Sequence, residues 1–297
     1  MRLVSGLILY PLVCFVALPA NIITIVVFTR KKLKSSTSIF LLNLAISDII
    51  KICNDIMYFV SILLTVISPD IGKRVLMFIY PYAHYIFNSS MTCAAWLIVA
   101  VAIERYLLVC HSTQAKTICT IPRALILSNA IAFASFATST PYLFKYQHST
   151  VFASNGTLHI LEISNLWKND MFSTAFNIFH YVFRSVVPII LLVVYSLLII
   201  RRLRQCRFKH RKRRTVLCLL MVIISFVICA TPDTVLSAVL QTGYREASYL
   251  IRGIREITDF LLLLNTGSNF IIYSALNTKF CKTLKEIVTR RGHSRKL

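Results

Sequence analysis

The chain has 297 residues, 57% hydrophobic and only 15% charged, whereas soluble domains carry roughly a quarter charged residues. Its apolar runs are too long and too frequent for one buried core to absorb, so lipid rather than water is the expected solvent. The net charge of +22 does not point to nucleic acid, because the aromatic residues lie within the apolar runs and not among the basic clusters.

Residues 1–20 have the look of a signal peptide, but the apolar run continues through Val27 and Phe28 to Arg30, Lys31 and Lys32. That is the length of a membrane span of about 20 residues, and a retained first helix is predicted. Further spans are predicted at about 38–67, 75–109, 122–144, 171–200, 215–241 and 248–275, each long enough for a core of about 30 Å. Lipid leaves no backbone group unpaired, so the spans are helices or a closed barrel, and the short alternating strands of a barrel are absent. The predicted fold is an all-α membrane protein: a seven-helix bundle over residues 1–276, followed by an amphipathic eighth helix and short basic tail over 277–297.

Lysine and arginine near the span ends set the orientation. The loops after the first, third and fifth spans and the tail hold 23 of the 33 basic residues. That side is predicted to be cytoplasmic, with the N-terminus outside and a plasma-membrane location. Within the longest outer loop, two β-prone arms flank Asn155-Gly156, the strongest short-range hairpin signal, so a β-hairpin with that turn is expected. Asn155-Gly156-Thr157 is also a glycosylation sequon on the outer side. The sequon at Asn88 falls inside the third span and is discounted. Every one of the nine cysteines lies in a span or on the cytoplasmic side, so no extracellular disulfide is expected. After the last span, Phe280, Leu284 and Ile287 alternate with Lys279, Lys282 and Lys285, the pattern of a helix lying on the inner leaflet. Cys281 beside it is a candidate for acylation, or a plain structural thiol.

Ionisable groups within a span are costly and mark function, which singles out Asp48. Asn21, Asn265, Thr266 and Asn269 supply further mid-span oxygens, enough for a small cation. At the cytoplasmic end of the third span stands Glu104-Arg105-Tyr106. Together with Asn21, Leu44-Ala45-x-x-Asp48, Pro188, Phe226, Cys229-x-x-Pro232 and Asn269-x-x-x-Tyr273, it makes the chain resemble the rhodopsin-like G-protein-coupled receptors over nearly its whole length. Asn269-Phe270-x-x-Tyr273, the short basic third loop and Lys116-Thr117-Ile118-Cys119 look most like invertebrate peptide receptors of the FMRFamide-receptor group.

The resemblance implies a heterotrimeric G protein as partner and an extracellular neuropeptide as ligand, with an amidated peptide among the candidates. It implies no enzyme activity and no cofactor beyond a sodium ion at Asp48, Asn265 and Asn269. It also implies a switch built from Glu104, Arg105, Tyr106, Phe226, Pro232, Asn269 and Tyr273. Arg105 is held by Glu104 in the inactive state and faces the G protein once the sixth helix swings outward.

The chain departs from the family pattern in several places. The cysteine that opens the third helix is replaced near Tyr80, and the second outer loop has none to pair with it. Ala230 replaces the tryptophan before Pro232, Phe270 replaces a proline, and the fourth span lacks its tryptophan. Near Lys212, where relatives place an acid that latches Arg105, the chain is entirely basic, which predicts raised basal signalling.

Phe87 stands where an amine receptor needs an acid, and residues 258–275 contain no lysine for retinal. Candidate ligand contacts are Phe87, Met91, His180, Tyr181, Asp233, Arg255 and Asp259, with Asp233 and Asp259 expected to hold a basic ligand group. The competing expectation is internal pairing of the acids with Lys51, Arg184, Arg252 and Arg255. A receptor for a non-peptide ligand or a small transporter are the alternatives in function. Against the transporter, no internal repeat is found.

Overall fold

The computed structural model describes residues 9–153, 156–205, 210–240 and 249–293. The spans are α1 (Tyr10–Phe28), α2 (Ser36–Ile67), α3 (Pro69–Cys110), α5 (Ile121–Ser139), α7 (Asp170–Tyr181) continuing into α8 (Val187–Gln205), α9 (His210–Leu240) and α10 (Tyr249–Leu276). Short helices α4 (Ser112–Ile118) and α6 (Asn165–Lys168) join them, and α11 (Thr278–His293) follows the last. Six of these stretches are apolar enough over 18 residues to cross a membrane by composition alone. The exception, α10, carries Arg252, Arg255, Glu256 and Asp259 in its first three turns, and at 28 residues it is long enough to complete the bundle.

Apolar surface alone gives helices in lipid little reason to choose neighbours, so polar bonds and close packing fix the arrangement. Asn21 Nδ2 on α1 donates to the Thr266 carbonyl at 2.9 Å, and Asn269 on α10 donates to Asp48 on α2 at 3.0 Å. Ser47 Oγ bonds the Ser90 carbonyl across α2 and α3 at 3.0 Å. Asn43 reaches Ser128 on α5 at 3.1 Å, joining two helices although the fourth span has no tryptophan. Trp96 Nε1 ties α3 to the Phe183 carbonyl at 3.1 Å.

The third helix begins earlier than the sequence pattern indicates. Ser68 is the sole residue between α2 and α3, because Pro69 is a ready-made first helical residue. The two helices meet so tightly that a Cβ on Gly72 would lie 2.2 Å from the Cα of Thr65. The hairpin is present, as β1 (Tyr146–Ala153) and β2 (Gly156–Ile163), but its turn is not Asn155-Gly156. Ala153 pairs with Gly156, which moves the two-residue connection to 154–155. The base sets this register: Ser164 N–H bonds the Lys145 carbonyl at 3.0 Å, and Ser149 Oγ bonds Glu162 at 3.2 Å. The sequon residue Asn155 lies outside the described residues.

The eighth helix starts at Thr278, with Asn277 capping the Phe280 N–H at 3.1 Å. Phe280 is fully buried against Phe28, Phe270 and Tyr273. Cys281 donates its thiol to the Ser274 carbonyl.

Candidate functional site: a polar cleft and a charged switch on one helix

The cleft is built where the fifth span loses its regular turn. Pro188 has no N–H to donate, and its ring crowds the carbonyl four residues earlier, that of Arg184. The chain responds with a π-turn over Val182–Val186, in which Val187 N–H reaches back to Val182. Such bulges re-aim side chains and recur at functional sites. Here Arg184 Nη1 bonds Asn88 Oδ1 on α3 at 2.6 Å and Nη2 bonds Asp233 Oδ2 on α9 at 2.5 Å. Asp233 follows Pro232, which lies within the continuous helix α9. The pair borders a narrow pocket lined also by Met91, Ala95, Phe226 and Ala230. Phe87 lies beside it, with the Arg184 guanidinium 6.0 Å from its ring centre.

The competing expectation, internal pairing of the acids, holds for Asp233 with Arg184 and for Asp55 with Lys51, whereas Asn88 is read from the sequence only as a sequon and given no place at the site. Of the two acids expected to hold a basic ligand group, Asp233 is engaged by the internal guanidinium of Arg184. Asp259 belongs to a different cluster, where Asp55, Glu256 and Asp259 act electrostatically on Tyr10. Arg255, next to Glu256 on α10, does not line the Arg184–Asp233 cleft. His180 does not reach the cleft either. It is buried, with Nε2 3.2 Å from Ser139 Oγ and Nδ1 3.3 Å from Tyr142 Oη, so both ring nitrogens have partners. Tyr181, half-buried, opens onto the π-turn.

Beside the cleft an aromatic cluster joins the hairpin to the bundle. Tyr142 packs edge-on against His84, with centroids 4.7 Å apart, and stacks on Trp167 at 5.5 Å. Trp167 Nε1 bonds the Pro141 carbonyl at 3.1 Å. Lys145, outside the spans, sits over the rings of Trp167, Tyr146 and Tyr142 at 5.0, 5.7 and 5.9 Å. Burial, with help from Arg255, lowers its ammonium to about 8.

At the other end of α3, Glu104 is buried and shared. One oxygen takes a hydrogen bond from Ser36 Oγ, and the other lies 3.6 Å from Arg105 Nη2. Arg105 Nε is buried without a hydrogen-bond partner, so the guanidinium is loosely held. The sixth span is tied elsewhere: Arg214 Nη2 bonds the Ala275 carbonyl at the end of α10 at 3.0 Å, which suits a cation at a helix C-terminus. The Lys212 side chain lies outside the described residues. Tyr106 packs on Tyr195 at 5.4 Å, while Tyr273 packs on Phe28 and Phe280, so these contacts keep the two tyrosines with different neighbours.

Between the two ends, the Asp48 carboxylate accepts Asn269 Nδ2, and Asn269 Oδ1 is buried without a partner. Asn265 Oδ1 receives only a long bond from Ser225, at 3.4 Å. Carboxylate and amide oxygens with spare lone pairs are the donors that hard cations take, so the set fits a small cation in kind.

A sequence profile described as 7 transmembrane receptor (rhodopsin family) matches residues 20–273. The chain belongs to that family. It is a multi-pass membrane receptor by descent and not an enzyme. It is similar to the sex peptide receptor of Drosophila melanogaster, at 25% identity over 96% of this chain and 73% of the relative. It is also similar to the QRFP-like peptide receptor of Branchiostoma floridae, at 23% over 96% of this chain and 77% of the relative. The FMRFamide receptor of Drosophila melanogaster is 25% identical over 93% of this chain and 52% of that protein.

Proposed function

We propose that this receptor sits in the plasma membrane with its N-terminus outside and converts the binding of an extracellular peptide into nucleotide exchange on a cytoplasmic heterotrimeric G protein. The observation that carries the reading is one continuous helix: α3 bears Asn88 at the cleft and Glu104-Arg105 at the opposite end. A ligand that reorders the Arg184–Asp233–Asn88 bonds acts on α3, on the π-turn of the fifth span and on α9 at once. That is the differential contact a population shift requires.

The ion pair also speaks to ligand chemistry. A lone cation would have to displace Arg184, and a lone anion Asp233. A neutral group that both donates and accepts can bond the pair without breaking it, as a peptide amide or terminal carboxamide does. The names of the relatives, peptide receptors among them, support the same reading. Asp48, Asn265 and Asn269 belong to the proposal as a site whose oxygen donors suit a small cation such as sodium, an ion that favours the inactive packing wherever it is bound.

The test is G-protein nucleotide exchange in membranes expressing the receptor, with a panel of short peptides supplied as amides and as free acids. Stimulation by amidated peptides supports the reading. No stimulation by any peptide, with surface expression verified, removes it.

A further inference from the structure

One buried charge has no part in the cleft or in the switch. Lys51 stands on α2 three residues after Asp48 and four before Asp55, so the three side chains share one face of the helix. The lysine side chain is 3% exposed, and its ammonium lies 2.7 Å from Asp55 Oδ2. The ring centre of Phe87 is 5.6 Å from the same nitrogen. A buried ion pair contributes little net stability compared with apolar residues of the same size, so packing alone does not explain an ammonium deep in a span. Its charge also reaches Asp48, on which it acts electrostatically.

We propose that Lys51 is the protein's own cation for this part of the bundle, and that its fixed charge suppresses sodium binding at Asp48, Asn265 and Asn269. The inference rests on the reading of that cluster as a cation site. The ammonium is drawn toward Asp55, one turn away from Asp48, and two positive charges on adjoining turns of one helix still repel in an environment with an effective dielectric of about 20. Asp55 neutralises part of that field. The remainder is expected to weaken sodium binding about tenfold or more, so the site stays largely empty of sodium at extracellular concentrations.

The experiment is thermal unfolding of the purified, ligand-free receptor in sodium chloride against choline chloride at equal ionic strength. It compares wild type, Lys51→Met, Lys51→Met/Asp55→Asn and Lys51→Met/Asp48→Asn. The second variant removes the whole ion pair and guards against misfolding caused by a stranded Asp55. Wild type is expected to melt at the same temperature in both salts. The first two variants are expected to gain about 2–4 °C in about 150 mM sodium, and Asp48→Asn to abolish the gain. Equal sodium responses with and without Lys51 would overturn the role of the lysine and leave the cation site standing. No response in any variant would overturn both. No peptide enters the measurement, so neither outcome touches the peptide reading.

Discussion

The ring of Tyr80 on α3 stands edge-on to the ring of Tyr146 at the base of the hairpin, with centroids 5.2 Å apart and planes at 68°. The cysteine that opens the third helix in the family is replaced near this tyrosine, so an aromatic contact lies where a disulfide would tie the loop down. Tyr80→Ala and Tyr146→Ala are each expected to lower the melting temperature and surface expression. A double-mutant cycle should return a coupling of about 0.5–1.5 kcal/mol. Additive single effects would mean that the hairpin is anchored elsewhere.

Arg184 and Asp233 are expected to depend on each other. Removing one partner strands a buried charge and costs about 3–5 kcal/mol, whereas removing both costs much less. Arg184→Met and Asp233→Leu should therefore each melt well below the double variant. The comparison is made without ligand, so it reads the pair and not the peptide.

Lys145 gives a pH signature. Its folded value of about 8 lies below the ordinary 10.5, so between these values the unfolded chain binds more protons than the folded one. Stability then rises as pH climbs from about 8 to about 10.5, by on the order of 1 kcal/mol after screening, and is flat with respect to this group below 8. The three aromatic faces pull the other way by favouring the ammonium. Melting curves of wild type and Lys145→Met across this window decide the balance. A wild-type curve parallel to that of the variant would mean that the rings offset the burial.

Arg214 ties the N-terminal end of α9 to the C-terminal end of α10. Arg214→Ala removes a partly exposed hydrogen bond of about 0.5–1.5 kcal/mol. Basal nucleotide exchange should rise by roughly two- to tenfold, since each 1.4 kcal/mol is a factor of ten. The wild type itself should already exchange above background, because Arg105 is held only by a 3.6 Å contact. Background exchange in both would remove the idea of a loosened inactive state.

Gly72→Ala should be among the most damaging changes to a small residue. The added methyl meets the backbone of Thr65 at 2.2 Å, where no side-chain rotation can relieve the clash, and a loss of surface expression is expected. Expression at the wild-type level would show that the two helices separate easily.

The bundle was legible because lipid imposes long apolar runs and helical pairing on the chain, and because Asp48, Arg105 and Pro232 punctuate it at family spacing. What stayed hidden was pairwise. The sequence offers Lys51, Arg184, Arg252 and Arg255 as partners for the outer acids alike, and only the fold, with its π-turn before Pro188, matches Arg184 to Asp233 and Lys51 to Asp55. His180 reads as a pocket residue from its place on the fifth span, yet Ser139 and Tyr142 claim both of its nitrogens. The hairpin turn slipped by one residue because the bonds at its base, between residues far apart in sequence, fix the register more strongly than Asn155-Gly156 does.

The central claim is that binding at the Arg184–Asp233 cleft drives the Glu104–Arg105 end of the same helix. The most direct test is peptide-stimulated nucleotide exchange by wild type and Arg105→Ala, with peptide binding measured on the same membranes. The account predicts that Arg105→Ala binds the stimulating peptide but loses the stimulated exchange. Full stimulated exchange in Arg105→Ala would contradict it.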